Sequence, residues 1–350
     1  MIYRADEGLG FLLRYENVAW YEEGSVRILD RRIYPIRLEY VVCKSHTEVA
    51  QAIADMVTQS GGPYVAAAMG MALAAYEAKE IADEKEYAAY MERAAYTLSH
   101  ARPTTSAKMV AVVEGSMQRM RDELAKGTSP EEMPEALANK AIENCNANYD
   151  RFSLVAKHLA DQIPNGGTVM TQCFAETIIG TLLRECRNRG NEIKMICPET
   201  RPYYQGARLT ASVAADMGFD TTVISDNMPG YTMKEKHVDV FTSAADVITM
   251  DGHVINKVGT FQIALAARYW GIPYFTTGIP NAHHADLSSV HIELRDPDQV
   301  LGSLEAGKHT LAGVKGYYPA FDITPPKLVD GIVTDKGIFS PYNLKSYFEN

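Results

Sequence analysis

From residue 168 onward, short apolar runs alternate with amphipathic stretches. Thr168-Val169-Met170-Thr171 is strand-like and ends at Gln172-Cys173. Ile178 to Arg189 puts Ile178, Ile179, Leu182, Leu183 and Cys186 on one face and predicts a helix. Ile193 to Cys197 predicts a strand, and Ala207 to Met217 an amphipathic helix. Asp220 to Ile224 and Val238 to Ser243 predict strands that end at Ser225-Asp226-Asn227 and Ala244-Ala245-Asp246. Val258 to Tyr269 predicts a helix, and Ile272 to Thr277 a strand before Gly278. Such alternation predicts an α/β fold, with a mostly parallel sheet covered by helices on both faces. Ligands bind such sheets at the carboxyl ends of the strands. Cys173, Glu199, Asp226 and Asp246 all fall at predicted strand ends, which places them around one crevice.

The first 45 residues read as β-rich. Gly24-Ser25 separates two apolar segments in hairpin fashion, and Leu38 to Val42 alternates as a third strand. Residues 46–163 read as helical: His46 to Val57 with Thr47 as cap, Val65 to Lys79, Glu84 to Leu98, Ala107 to Ala125, and a long helix from Glu135 to Gln162. Val65 to Lys79 is too apolar for a surface helix and predicts the centre of the N-terminal core. Ser60-Gly61-Gly62-Pro63 and the 101–106 segment read as loops, and Pro164-Asn165-Gly166-Gly167 as the turn into the sheet domain. The expected domains are therefore 1–150, a short β segment followed by helices, and 151–350, Rossmann-like. After Gly278 the pattern weakens to a polar loop at 279–286, a strand over Val290 to Leu294, a loop around Tyr318 to Pro326 and a short helix over Lys327 to Val333.

Composition narrows the function. With 46% hydrophobic residues over 350 positions, the chain has ample material for buried cores. A net charge of −10 argues against nucleic acid as a partner. No apolar run is long enough for a membrane helix, and no secretory leader is evident at the start, so a cytoplasmic protein is expected. Five widely spaced cysteines without a CxxC argue for a reducing compartment and against structural zinc.

Neither a GxGxxG nor a GxxxxGK[ST] motif occurs, so a dinucleotide or P-loop reading has no support. His283-His284 is an adjacent pair, which does not converge on one metal, and no metal is expected. The densest chemistry is the run Pro198 to Thr210. It sets a carboxylate, a guanidinium, an amide and a glycine at the mouth of a helix, a place suited to anions. Cys173, before a helix, is either a thiol of lowered pKa or a small core residue. Asp246 is either a functional carboxylate with small neighbours or a loop cap. Glu199 and Asp226 read as caps or as ion-pair partners of Arg201 and Arg208. Asn256-Lys257 reads as an anion contact, or as a helix cap beside a solvated lysine. Arg102 is by itself an ordinary loop arginine.

Taken in order, these signals carry more. Gly61-Gly62-Pro63, Ala101-Arg102-Pro103-Thr104, Thr171-Gln172-Cys173, the run Glu199 to Thr210, Ser225-Asp226-Asn227-Met228, Ala244-Ala245-Asp246, Asn256-Lys257-Val258-Gly259-Thr260 and Pro319 to Pro325 closely resemble the methylthioribose-1-phosphate isomerases. That family shares a superfamily with ribose-1,5-bisphosphate isomerases and with regulatory subunits of the translation-initiation exchange factor. The resemblance runs from about Gly24 to about Pro341. It implies a small β and helical N-terminal domain on a Rossmann-like C-terminal one, a homodimer, a sugar phosphate substrate, a step of methionine salvage, and neither metal nor organic cofactor. It also implies catalytic roles for Cys173 and Asp246, and substrate contacts at Ser60, Gly61, Gly62, Arg102, Gln205, Asn256 and Lys257.

The chain departs from the family in a few places. The family loop Arg-Gly-Ala-Pro is here Ser60-Gly61-Gly62-Pro63, without the arginine that grips phosphate. Gly-Ala-Asp-Arg becomes Ala244-Ala245-Asp246-Val247, and Thr-His-Cys-Asn becomes Thr171-Gln172-Cys173-Phe174. The expected reaction is the aldose–ketose isomerisation of a methylthioribose-1-phosphate-like sugar to its ribulose-1-phosphate form. In it Asp246 acts as an acid, its pKa raised by apolar neighbours, and Cys173 as the base for the C2 hydrogen. A hydride shift needs no base, and the residues leave both routes open. Isomerisation of ribose-1,5-bisphosphate or 5-deoxyribose-1-phosphate stays open too, as does a non-catalytic ligand-sensing subunit.

Overall fold

The computed structural model describes residues 3–102, 106–303 and 307–349. Pro103, Thr104 and Thr105 of the expected 101–106 loop lie outside them, as do the first two residues. The chain divides into two compact units, residues 1–150 and 151–350, and the division falls inside one long helix.

The first unit opens with an antiparallel sheet of β1 (Ala19–Glu22), β2 (Ser25–Leu29) and β3 (Tyr40–Cys43). Five helices follow: α1 (His46–Ala54), α2 (Gly62–Ala78), α3 (Glu84–Ser99), α4 (Ser106–Ala125) and α5 (Met133–Ala160). The cap of α1 is Ser45, two residues earlier than the expected Thr47. Its hydroxyl accepts the Glu48 N–H at 3.2 Å, while Thr47 bonds only to the Ser45 hydroxyl. α2 is apolar all round and lies at the centre of the core, with Ala66 to Ala75 buried. At Gly70 a Cβ would stand 2.8 Å from Leu98 Cδ2, so α2 and α3 pack closely here and a side chain at residue 70 would require Leu98 to shift.

The second unit is α/β. Its seven-stranded sheet has the order β15-β14-β10-β7-β4-β5-β6. β4 (Thr168–Met170), β5 (Lys194–Pro198), β6 (Asp220–Ile224), β7 (Val240–Ala244), β10 (Tyr274–Thr277) and β14 (Gly331–Thr334) run parallel, and β15 (Gly337–Phe339) is antiparallel at the edge. Helices α6 (Thr177–Asn188), α7 (Ala211–Asp216), α8 (Pro229–Glu235) and α9 (Thr260–Trp270) connect the strands, and α10 (Ser346–Glu349) ends the unit. The chain moves outward from β4 through β5 to β6, then returns to the other side of β4 for β7, β10 and β14. Strands β4 and β7 are therefore the topological switch point. A second sheet, β8 (Val247–Ile248), β9 (Val254–Lys257) and β13 (Phe321–Thr324), is antiparallel in the order β13-β9-β8. A two-residue ladder joins β11 (Gly302–Ser303) to β12 (Gly307–Lys308).

Two expectations after residue 245 are corrected. Val290 to Leu294 is not a strand; one bridge joins Leu294 to Pro319. The helix expected over Lys327 to Val333 is a single 3-10 turn, Pro326–Leu328, followed by β14. Gly331-Ile332-Val333-Thr334 is rich in β-branched residues and fills the slot beside β10, where a fully buried parallel strand needs such a run. The β8–β9 pair was not foreseen, because its segments are short and lie between stronger signals.

Candidate functional site

Backbone bonds at the switch point fix the site. Cys173 follows β4, and its N–H donates to Thr200 Oγ1 at 3.1 Å, while its carbonyl accepts from the Thr210 hydroxyl. Gln172 Nε2 donates to the Val258 carbonyl at 3.0 Å, tying the Cys173 loop to the end of β9. Asp246 N–H donates to the Ile255 carbonyl at 2.9 Å, tying the end of β7 to the same strand. Thr171 N–H to Ile196 and Ala245 N–H to Thr277 extend the ladder to the strand ends. Cys173, Asp246, Asn256 and Lys257 thus meet within one unit.

The run at 199–210 is held by a carboxylate. Asp226 accepts the N–H groups of Thr200 at 2.8 Å and Arg201 at 2.7 Å, so it caps this loop through its backbone. Gly206 opens a π-helical turn, Gly206–Thr210, where a Cβ would stand 1.8 Å from the Pro198 carbonyl oxygen. Gln205 is buried, and among the described residues its Oε1 has no hydrogen-bond partner. Cys173, Thr200 and Tyr204 all have positive φ, at 60°, 62° and 54°. That is a strained conformation, above all for a β-branched threonine.

Electrostatics tie the side chains together. Burial pushes the Cys173 thiol up to about 11, against the pull of Lys257 and Arg295, while Asp246 pushes the same way as burial. Lys257 is 5% exposed, and burial pushes its amine down; Cys173, Asp246 and Glu293 oppose that shift, and Arg295 adds to it. So Lys257 is neither solvated nor beside a cap. The first turn of α9 is instead capped by Asp322, which accepts the N–H groups of Gly259 at 2.7 Å and Phe261 at 3.2 Å. Asn256 is buried, with Nδ2 on Thr260 Oγ1 at 3.0 Å. Asp246 is exposed, and of its apolar neighbours only Ile248 is buried, so the expected apolar enclosure is not present around it.

Ser60, Gly61, Gly62 and Arg102 belong to the first unit. Ser60 is exposed with φ 59°, and Gly62 is the first residue of α2. A Cβ on Gly62 would stand 1.8 Å from Thr58 Oγ1. The loop rests on Arg31, which is fully buried and donates to the Gln59 carbonyl at 2.7 Å. Arg102 is half-buried after α3.

Sequence reasoning missed Arg295, Tyr318, Tyr203 and Phe321. The Arg295 guanidinium lies 5.8 Å from the ring centres of both Tyr203 and Phe321, and Tyr203 and Tyr318 are 6.4 Å apart. A signal was available: in extended chain Glu293-Leu294-Arg295 puts acid and guanidinium on the same side. Among the described residues, no group of three or more His, Cys, Asp or Glu side chains is arranged to hold a metal ion. His284 Nδ1 instead meets Ser289 Oγ at 2.9 Å.

A thiol, a carboxylate and a buried ammonium at the switch point of a Rossmann-like sheet are the marks of a small-molecule site. The chain belongs to the initiation factor 2 subunit family, whose model matches residues 58–341. Within that family its similarity runs to the isomerases. It is 34% identical over 345 residues to a methylthioribose-1-phosphate isomerase of Thermosipho africanus, covering 92% of this chain and 95% of that protein. Its structure superimposes with a TM-score of 0.81 on the 5-methylthioribose 1-phosphate isomerase of Pyrococcus horikoshii, at 27% identity, covering 96% of this chain and 98% of that one. The delta subunit of translation initiation factor eIF-2B from A. fulgidus gives 0.82 at 28% identity, covering 95% and 99%.

Proposed function

We propose that the chain is an aldose–ketose isomerase that converts a methylthioribose-1-phosphate-like sugar to its ribulose-1-phosphate form. One observation carries the reading: the Cys173 loop at the switch point is tied through Gln172 to the end of β9, the strand that carries Asn256 and Lys257 and also receives the Asp246 N–H. A sugar 1-phosphate brings an anion, a ring oxygen that needs a proton, and a C2 hydrogen that must move to C1. The site offers cations, a carboxyl group and a thiol. Asp246 protonates the ring oxygen as the C1–O bond of the ring breaks. Cys173 takes the C2 proton to give an enediol, and after its thiol exchanges with solvent it delivers a proton to C1. The C2 hydroxyl becomes the ketone, and its proton restores Asp246. The bound sugar supplies the cover that exposed Asp246 lacks. Burial holds the Cys173 proton up to about 11, so this route runs faster as pH rises. Gln205, with its orphaned buried Oε1, and Asn256 are the proposed hydroxyl contacts. Ser60, Gly61, Gly62 and Arg102 are proposed contacts by resemblance.

We also read the protein as a cytoplasmic homodimer. Cys43, Cys186 and Cys197 are buried thiols, in keeping with a reducing compartment. Among the described residues no helix is long and apolar enough to cross a membrane. Phe261, Leu265 and Tyr269 form an exposed apolar stripe at i, i+4 and i+8 on α9, beside Trp270, whose indole N–H meets the Gly230 carbonyl on α8. Sedimentation of the wild type and Tyr269→Glu tests this; a wild-type monomer refutes it.

The test of function is turnover on methylthioribose-, 5-deoxyribose- and ribose-1-phosphate and ribose-1,5-bisphosphate, with Cys173→Ser and Asp246→Asn in parallel. Ketose from one substrate, lost in both variants, is expected. The eIF-2B delta neighbour supports a second reading, a ligand-sensing subunit. That reading predicts no turnover on any sugar, with wild type and variants binding alike.

A further inference from the structure

We propose that Arg295 and Tyr318 build, together with Lys257, a subsite beside Cys173 that holds a phosphate monoester dianion. The proposal rests on the sugar-phosphate reading above and adds two residues that neither the motifs nor the resemblance assigns.

Chain pairing sets the three side by side. β13 pairs with β9 so that Phe321 faces Lys257. One step upstream, Ala320 N–H donates to the Glu293 carbonyl at 2.8 Å and Arg295 N–H to the Tyr318 carbonyl at 3.0 Å. The 293–295 segment thereby continues the sheet edge next to β13. The Lys257 ammonium lies 4.9 Å and the Arg295 guanidinium 5.8 Å from the centre of the same Phe321 ring.

Each of the three has bonding capacity that nothing among the described residues uses. Lys257 is 5% exposed, and its ammonium makes no hydrogen bond or ion pair there. A buried ammonium that makes no close ion pair is costly and calls for an anion. Arg295 has a side chain 10% exposed. Glu293 accepts from its Nε at 3.0 Å and from Nη2 at 3.3 Å. A guanidinium is planar, so an acid on that edge leaves Nη1 aimed the other way. Tyr318 is 3% exposed, and its hydroxyl is buried without a hydrogen-bond partner. A phosphate monoester offers an acceptor oxygen to each of these donors and the charge that Lys257 lacks.

The probe is inorganic phosphate, and the readout is protection of Cys173 in the full chain from alkylation by iodoacetamide, followed by peptide mass. In wild type, phosphate slows the labelling of Cys173. In Arg295→Met the half-protecting concentration rises roughly ten- to hundredfold, the loss of one charge-assisted contact. Tyr318→Phe, which keeps the ring, raises it severalfold, and Arg295→Lys recovers part of the loss. Failure of phosphate to protect wild type overturns the proposal. So does an unchanged half-protecting concentration in both Arg295→Met and Tyr318→Phe. If Arg295→Met fails to fold, the Arg295→Lys and Tyr318→Phe shifts decide. Arg295-dependent protection without turnover of any sugar phosphate leaves the subsite standing and removes only the isomerase reading.

Discussion

Replacing Lys257 by methionine separates stability from function. The lysine sits on β9 at 5% exposure with an aromatic ring as its close companion, and burial drives its amine below the ordinary 10.5. Methionine keeps the length of the apolar stem and removes the charge. Exchanging buried charged groups for packed apolar ones stabilises by on the order of 1–4 kcal/mol. The same gain is expected for Lys257→Met at pH 7. The sign of the pH dependence follows from linkage. The folded lysine holds its proton less tightly than the unfolded one, so between the two values the unfolded state binds more protons. Wild-type stability therefore rises as pH climbs toward 10.5, and the methionine variant loses that slope. Urea denaturation at pH 7 and pH 10 measures both effects. Activity moves the other way: turnover falls, and the half-protecting phosphate concentration rises. A variant less stable than wild type at pH 7, with the wild-type pH slope intact, would refute the claim that burial of the Lys257 charge costs stability.

Three further outcomes are expected. Isomerisation run in D₂O by the proton route leaves deuterium at C1 of the ketose, and its rate climbs between pH 7 and the Cys173 value of about 11; turnover without deuterium means a hydride shift. Gly206→Ala puts a methyl group 1.8 Å from the Pro198 carbonyl oxygen and 2.8 Å from Thr200 Oγ1, which lowers stability by roughly 1–3 kcal/mol or more in urea titration; an unchanged midpoint contradicts the close approach. Burial pushes Asp322 up from 3.8 to about 6, so its folded carboxyl holds a proton more tightly than the unfolded one; stability falls as pH rises from about 4 to 6, by up to about 3 kcal/mol, and Asp322→Asn flattens that fall.

What the sequence shows depends on which physics dominates locally. β4, β5 and β7 are legible because parallel strands buried on both faces must be continuous apolar runs, β6, at the sheet edge, by its β-branched run Thr221 to Ile224, and α6 because its face is clean. The strand-end places of Cys173 and Asp246 follow directly. Burial of Lys257 is not legible: Val254-Ile255-Asn256-Lys257 reads as the approach to a helix, and only pairing with a strand some 65 residues later encloses the amine. Arg295 and Tyr318 were missed for the same reason. Their neighbourhood is made by one bridge and two backbone bonds between segments that carry no period of their own. Asp246 shows the opposite failure, since apolar neighbours in sequence do not by themselves enclose a side chain, and this residue is exposed.

The costs in the second unit collect in one place. Cys173, Thr200 and Tyr204 hold positive φ, and among the described residues Lys257 is buried without a close ion pair and Gln205 and Tyr318 bury polar atoms without partners. A structure selected for stability alone would have removed these features, since each has a simple apolar or glycine replacement. They lie on loops fastened to the carboxyl ends of β4, β5 and β7 and to the β9–β13 pair, where the sheet on one side and the capped helix α9 on the other keep them rigid. Strain and desolvation that persist only where a scaffold over-determines them are what a preorganised site requires. A bound phosphate sugar offers partners for the lysine, the amide and the hydroxyl at once, so the ligand completes bonds the fold leaves open. Stability should therefore rise with ligand far more in wild type than in Lys257→Met, because the variant has already removed the largest of these costs by other means.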